Sequence, residues 1–423
     1  MLRISPFEAL RPPANRAASV SSPPYDVVSR DEARAEIDRH GQSFMRVLRP
    51  DALLDADVDP HDNAVYAAAR DALETLQQAG VLIRENGPCI YLYRQAWRGR
   101  SQVGVVCCCH VDDYERDVIK KHEQTRKDKE DDRTRHVLAT RCNSGPVFLT
   151  YRDDPAIDRL VEDDVAERPL FHFNDTAGVT HTGWIASTNE PYVEAFARIA
   201  HAYVADGHHR SASAARAAAH LRHVNPDHHG NEDYEWFLTV LFPASQLTIL
   251  PYNRLVKDLN GLDSDSFLKA LADVGTLRRM DAPVNPECTG ACGVYVDGNW
   301  YLLTLPAELL EASDPVHRLD CALLESTVLK PILGIGDIRT DSRIGFVGGI
   351  RGLDALQSRV DAGDAAVAFS LHPVNIQQLI DVADSGRCMP PKSTWFEPKL
   401  RSGLFIHQLD ARMPLQHRSG TVS

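Results

Sequence analysis

The sequence has no run of about 18 apolar residues, the length a helix needs to cross a bilayer. Its opening residues, MLRISPFEALRPP, also lack the apolar core of a secretory signal. Both absences lead to the expectation of a soluble, cytoplasmic protein with no membrane partner. Positive charge is short as well. The 423 residues carry 46 Lys and Arg against 59 Asp and Glu, a formal net charge of −13, which disfavours broad contact with nucleic acid or an anionic membrane. An anionic ligand would have to be small and held locally. Cys288 and Cys292 have no second cysteine pair at zinc spacing. The run Cys107-Cys108-Cys109 lies in an apolar stretch and reads as buried, reduced thiol, the state of a reducing compartment. Familiar catalytic signatures are missing too: no G-x-x-x-x-G-K-[ST], no G-x-G-x-x-G after a strand, no G-x-S-x-G, and no kinase H-R-D or D-F-G set. The zinc-protease pattern H-E-x-x-H fails because Arg126 holds the last position after His122-Glu123.

What is present is an ordinary globular composition, long enough for two or three domains. Ser29-Arg30-Asp31-Glu32 reads as a capping box opening a helix through about His40. Apolar positions Val65, Ala68, Ala69, Leu73 and Leu76 follow the helical period over 63–78. CIYLYRQAW and QVGVVCCCHV, separated by Arg98-Gly99-Arg100, suit an antiparallel hairpin. Further strands are expected over 146–151, 199–205, in WFLTVLFP and LTILPYNRLV, and over 365–371, with a helix from about Asn375 to Asp384. The chain is thus expected to be α+β (mixed α/β) in three parts: an N-terminal α+β region over 1–115, a core over 116–245 and a C-terminal α+β domain over 246–423.

Chemistry concentrates in two segments. The apolar run Ile199–Ala205 passes through Asp206-Gly207-His208-His209-Arg210 into the alanine-rich helix SASAARAAAH. A strand that turns directly into a helix aims free backbone N–H groups and the positive helix end at one spot, which suits an anion. The two histidines and Arg210 add donors. The second histidine pair, His228-His229, sits in the polar loop NPDHHGNED and reads as solvated. Upstream, Glu123 lies among Lys120, Lys121, Arg126, Lys127 and Lys129, a setting that keeps a carboxylate ionised and draws in anions; a solvated charged helix is the plainer reading of the same residues. Lys392-Ser393-Thr394, followed by Lys399 and Arg401, is a further candidate phosphate-facing loop, whereas the glycines of FVGGIRG read as turns.

Taken together, SPPYDVV, HEQT with the following KEDDR, the strand into ADGHHR, LPYNR, FVGGIRG and MPPKSTWFEPKLRSG resemble a widespread prokaryotic family of unknown-function proteins across essentially the whole chain. The middle part also resembles the ParB/sulfiredoxin superfamily, in which an early H-E segment and a later D-G-H-H-R turn frame a nucleotide site. That superfamily includes free-serine kinases, the nucleotide clamp of ParB proteins, and sulfiredoxin. The kinase resemblance implies that Glu123, with His122 beside it, aligns or deprotonates a substrate hydroxyl. It implies that the turn of Asp206, Gly207, His208, His209 and Arg210 holds nucleotide phosphates and Mg²⁺, with Asp206 the metal ligand; Lys392, Ser393 and Thr394 are added to the phosphate contacts as the candidate loop read above. Sulfiredoxin needs a cysteine where His208 stands, and ParB carries a helical DNA-binding domain where this chain reads as β-rich; both branches are therefore disfavoured. The reaction expected is ATP- or ADP-dependent phosphorylation of a small hydroxyl metabolite, L-serine first, with a nucleotide sensor or a phosphate-ester hydrolase as the alternatives.

Overall fold

The computed structural model describes residues 1–409 as two compact units. The first comprises Met1–Lys120, Thr125–Gln246 and the described residues from Pro398 onward; the second comprises Lys121–Gln124 and Leu247–Glu397. The architecture is α+β, with helices interspersed among several sheets. No described helix is long and apolar enough to cross a membrane, and all nine cysteines are free thiols.

The first unit is built on a nine-stranded mixed sheet. Its strands are β1 (Ile4–Ser5), β2 (Tyr91–Trp97), β3 (Arg100–His110), β4 (Ile119–Lys120), β5 (Val147–Tyr151), β6 (Phe171–Asn174), β7 (Thr180–Ile185), β8 (Ala202–Asp206) and β9 (Trp236–Pro243). They run in the order β4-β8-β5-β9-β3-β2-β7-β6, with β1 against β3. β2 and β3 form the hairpin expected from sequence, and Arg98 (φ 47) and Gly99 (φ 74) give its two-residue turn the twist that suits antiparallel strands. The three cysteines of β3 are at most 1% exposed and pack as small apolar groups. The helix Arg30–Arg39 opens with the expected capping box: Ser29 Oγ accepts the Glu32 N–H, and Glu32 Oε2 accepts that of Ser29. The helix Asn63–Gln78 buries Val65, Tyr66, Ala69, Leu73 and Leu76.

Sequence places a boundary near 115, yet the sheet has strands on both sides of it. β3 pairs with β9, and β9 with β5, so residues before and after 115 share one hydrophobic core. The boundary near 245 lies beside the change of unit at Gln246/Leu247. The chain returns to the first unit at its end. Ser402 pairs with Ser22, Ile406 with Leu10, and His407–Gln408 with Cys142–Asn143.

The second unit carries a six-stranded antiparallel sheet of β10 (Tyr252–Val256), β11 (Thr276–Met280), β12 (Ala291–Val296), β13 (Asn299–Thr304), β14 (Ile344–Gly348) and β15 (Val367–Leu371), in the order β11-β13-β12-β15-β10-β14. One face packs Leu255, Tyr295, Trp300, Val347 and Ala368 into a core. Close approach explains the paired glycines of FVGGIRG: a Cβ on Gly348 would lie 2.7 Å from the Trp395 ring, and one on Gly349 2.7 Å from Pro251.

Candidate functional site

β8 carries Ala202, Tyr203, Val204 and Ala205 into the core and ends on Asp206. Gly207 then takes the left-handed conformation (φ 99, ψ 30) and caps the helix His208–Val224, here α1. The helix begins three residues before the alanine-rich run, so His208, His209 and Arg210 are its first turn. Their backbone N–H groups have no partner four residues earlier within the helix, and the helix end adds positive potential. His209 Nε2 accepts the Arg126 N–H at 3.1 Å, which ties the turn to the residue preceding the charged helix Lys127–Thr140.

Asp206 is the electrostatic centre of the turn. Its Oδ2 meets Arg210 Nη2 at 3.2 Å and Lys399 Nζ at 3.6 Å. Burial alone would raise its pKa, but Lys399, Arg210 and His208 outweigh it and bring the carboxyl down to about 2. Arg210 also donates to the Pro146 carbonyl, so its fork holds the turn together as well as lending it charge. Asp206 therefore stays ionised with its counter-charge already supplied. A Mg²⁺ ion ligated by the same oxygen would face two cations, a poor fit to the ligand role expected of Asp206.

Next to Arg210 lies a cavity of about 30 Å³ lined by Tyr25, Arg133, His136, Gly145 and Ser402 among others, large enough to hold water. The Arg133 guanidinium stacks 4.3 Å from the Tyr25 ring and pairs with Asp132 at 2.7 Å. Burial pushes the Tyr25 hydroxyl up to about 12 and the His136 imidazole down to about 4. This wall joins SPPYDVV, KEDDR, ADGHHR and the C-terminal RSG. Lys399 was read from sequence only as part of a phosphate-facing loop and not as a partner of Asp206, and Tyr25 and His136 were not singled out as site residues. Their only signal was membership of, or nearness to, those motifs.

The remaining candidates fall in the second unit. His122 is 1% exposed, its carbonyl accepts the Met389 N–H at 2.7 Å, and its Nε2 lies 3.5 Å from Thr394 Oγ1. The H-E segment and the Lys392-Ser393-Thr394 run thus come together. Glu123 is half-buried and acts electrostatically on Cys388, as does Lys121. Ser393 is buried, its Oγ donating to the Pro390 carbonyl at 2.6 Å, while Lys392 is exposed in a left-handed conformation (φ 58). His228 and His229 are both exposed, and His228 pairs with Glu232 at 2.9 Å.

Among solved structures the chain is similar to free serine kinase in complex with AMP, at 11% identity and TM-score 0.35 over 71% of this chain and 91% of that one. It is similar to SbnI with C-terminal truncation from Staphylococcus aureus, at 12% and 0.38 over 72% and 87%. A conserved hypothetical protein from Pyrococcus furiosus aligns at 12% and 0.32 over 71% and 94%. No curated protein matches the chain. The profile of the family described as protein of unknown function (DUF1015) matches residues 4–322, and the chain belongs to that family.

Proposed function

We propose that the chain is a nucleotide-dependent kinase that transfers a phosphoryl group from ATP or ADP to the hydroxyl of a small metabolite, with L-serine the first candidate. The observation that carries this reading is the turn from β8 into α1. A buried strand, a left-handed glycine and an open helix N-terminus converge with the cations of Arg210 and Lys399, an arrangement suited to nucleotide phosphates. In this reading His208, His209 and the α1 N–H groups receive phosphate oxygens, while Asp206 keeps Arg210 and Lys399 in place. Lys392, Ser393 and Thr394 are proposed as further phosphate contacts.

Phosphoryl transfer asks little covalent chemistry of a protein, and alignment and charge neutralisation do most of the work. As the new P–O bond forms, the acceptor hydroxyl loses its proton to the Glu123 carboxylate. The bond to the bridging oxygen breaks, leaving ADP from ATP or AMP from ADP. Mg²⁺ would neutralise the nucleotide's charge, but Asp206, the ligand expected for it, is already paired with Arg210 and Lys399.

Incubation of the purified protein with Mg²⁺, ATP or ADP and a pool of hydroxyl metabolites tests this directly. The expected result is acceptor-dependent release of ADP or AMP with a mass gain of one phosphate on a single metabolite. Release without an acceptor would make the protein a hydrolase, and binding without release a sensor; either overturns the kinase reading.

A further inference from the structure

LPYNR, FVGGIRG and PPKSTW play no part in the turn at Asp206, yet in the second unit they meet around one side chain, Arg254. It sits in β10 with Phe346 of β14 and Phe369 of β15 directly across from it. The residue is only 1% exposed. Nη1 donates to the Tyr252 carbonyl at 2.7 Å, and the guanidinium lies 4.7 Å from the centre of the Phe346 ring. Nη2, also buried, has no hydrogen-bond partner among the described residues, and none of their carboxylates pairs with the cation. Glu325, the carboxylate that acts on Arg254 electrostatically, is itself paired with Lys330 at 2.7 Å.

A guanidinium withdrawn from water without a counter-ion is an unfavourable arrangement, and arginine is rarely left so. Its surroundings differ from an ordinary core. Cys321, which also acts on Arg254, lies 3.0 Å from Ser393 Oγ. The next residue back, exposed Lys392, places its ammonium 5.5 Å from the Tyr252 ring, whose own carbonyl binds Arg254. Tyr252 and Cys321 therefore connect the buried cation to a loop that carries a second cation at the surface. The backbone is irregular at both flanks: Lys392 is left-handed, and the short helix Asp320–Leu324 runs into a π-helical turn over Glu325–Leu329. Such irregularities recur at functional sites.

We propose that the second unit holds an oxyanion site of its own, in which Arg254 is the buried anchor and Lys392 the entrance cation, for the phosphate or carboxylate group of a small molecule. A two-oxygen anion satisfies Nη2 and supplies the missing counter-charge through the fork geometry that guanidinium offers. The site goes beyond the nucleotide reading: it shares Lys392 with the phosphate contacts proposed above, but its anchor Arg254 has no part in them, and it requires nothing from the Asp206 turn.

The experiment is equilibrium dialysis of the full chain with radiolabelled inorganic phosphate, with acetate as competitor and chloride at matched ionic strength as control. Thermal unfolding is followed in the same solutions. Phosphate is expected to raise Tm more than chloride does. Arg254→Lys, which keeps the charge but loses the fork, and Lys392→Ala should each weaken one class of phosphate site at least tenfold. His209→Ala should leave that class intact, so failure of the nucleotide reading and failure of this one are told apart. Displacement of that class by acetate makes the group a carboxylate; resistance to acetate makes it a phosphate. If phosphate and acetate binding and the Tm response are unchanged in both Arg254→Lys and Lys392→Ala, Arg254 is a structural cation and the site does not exist. Because Lys392 is exposed, that variant remains informative even where Arg254→Lys fails to fold.

Discussion

Asp206 in the first unit and Asp320 in the second are both largely withdrawn from water, and burial pushes both carboxyl groups toward the protonated form. They end in opposite places. Lys399, Arg210 and His208 reverse the effect at Asp206 and bring it to about 2. At Asp320 the Gly290 N–H bond (2.7 Å) and the charge of His372 offset burial only in part, leaving the group at about 6. Arg254 repeats the pattern of the second unit, a buried charge with no described ion-pair partner, whereas Arg210 has Asp206. Burial has one sign for every charge, so the fate of a buried ion depends on the neighbours the fold brings to it.

The widest way to break this comparison is pH. His136, in the first unit, has its pKa lowered from an ordinary 6.5 to about 4, first by burial and then by Arg133. Between those values the unfolded chain binds the proton that the folded chain refuses. This stabilisation is complete above about pH 6.5 and is lost as pH falls toward 4, by about 3 kcal/mol. Asp320 has its pKa raised from 3.8 to about 6, so here the folded chain holds the extra proton. Its stabilisation is complete below 3.8 and is lost, by about 3 kcal/mol, as pH rises to 6. Hydrogen-exchange protection, corrected for intrinsic rates, should therefore gain with pH in the sheet of β8 and β9 and decline in the sheet of β10 and β12. His136→Gln should flatten the first slope and Asp320→Asn the second. Slopes of one sign in both sheets would contradict the assignments.

Kinetics sharpens the contrast next. In the proposed kinase Glu123 is the base and His209 a phosphate contact, so the two should fail in different ways. Glu123→Gln should then bind nucleotide as the parent does yet lose at least about a hundredfold in turnover, as removal of a positioned base typically does. Glu115→Gln, in the first unit and 3.9 Å from Arg222, serves as control. Near-normal turnover in Glu123→Gln would remove the base from that residue. His209→Ala should show the converse, a roughly ten- to hundredfold loss of nucleotide affinity with the fold intact, the usual effect of losing a hydrogen bond to a charged group. Calorimetric titration with ADP would read it, and unchanged affinity would remove His209 from the phosphate contacts.

The residues of the Asp206 turn were legible because everything that forms it is adjacent in sequence: an apolar run, Asp-Gly, then an alanine-rich helix. The capping box at Ser29–Glu32 and the turn at Arg98-Gly99 were legible for the same reason. Lys399 on Asp206 was not, because an ion pair between segments so far apart leaves no local pattern in either. The boundary expected at 115 failed to divide the sheet because β9 inserts between β3 and β5, and strand order is set by long-range pairing. The start of α1 at His208 is not marked in the sequence, because histidine and arginine beside a glycine carry a loop signal, whereas alanine announces helix directly.

The smallest expected effect tests how tightly the turn is held. Gly207 has φ 99, outside the range an L-residue adopts without strain. A Cβ there would stand 3.1 Å from both Cζ and Nε of Arg210, and Arg210 cannot simply yield, because it is tied to Asp206 and to the Pro146 carbonyl. Gly178, also in the first unit, has φ 77 with nothing within 4 Å of a Cβ. Gly178→Ala should therefore cost only the backbone penalty, about 1 kcal/mol. Gly207→Ala should cost that plus the displacement of Arg210, about 2 kcal/mol in all. Denaturant titration of both variants gives the difference, and repeating Gly207→Ala in an Arg210→Ala background assigns it. If the side chain of Arg210 is what resists the methyl group, its removal brings Gly207→Ala down to the cost of Gly178→Ala. An unchanged cost would mean that backbone strain alone fixes the glycine, and that Asp206 and Arg210 are not held as one unit.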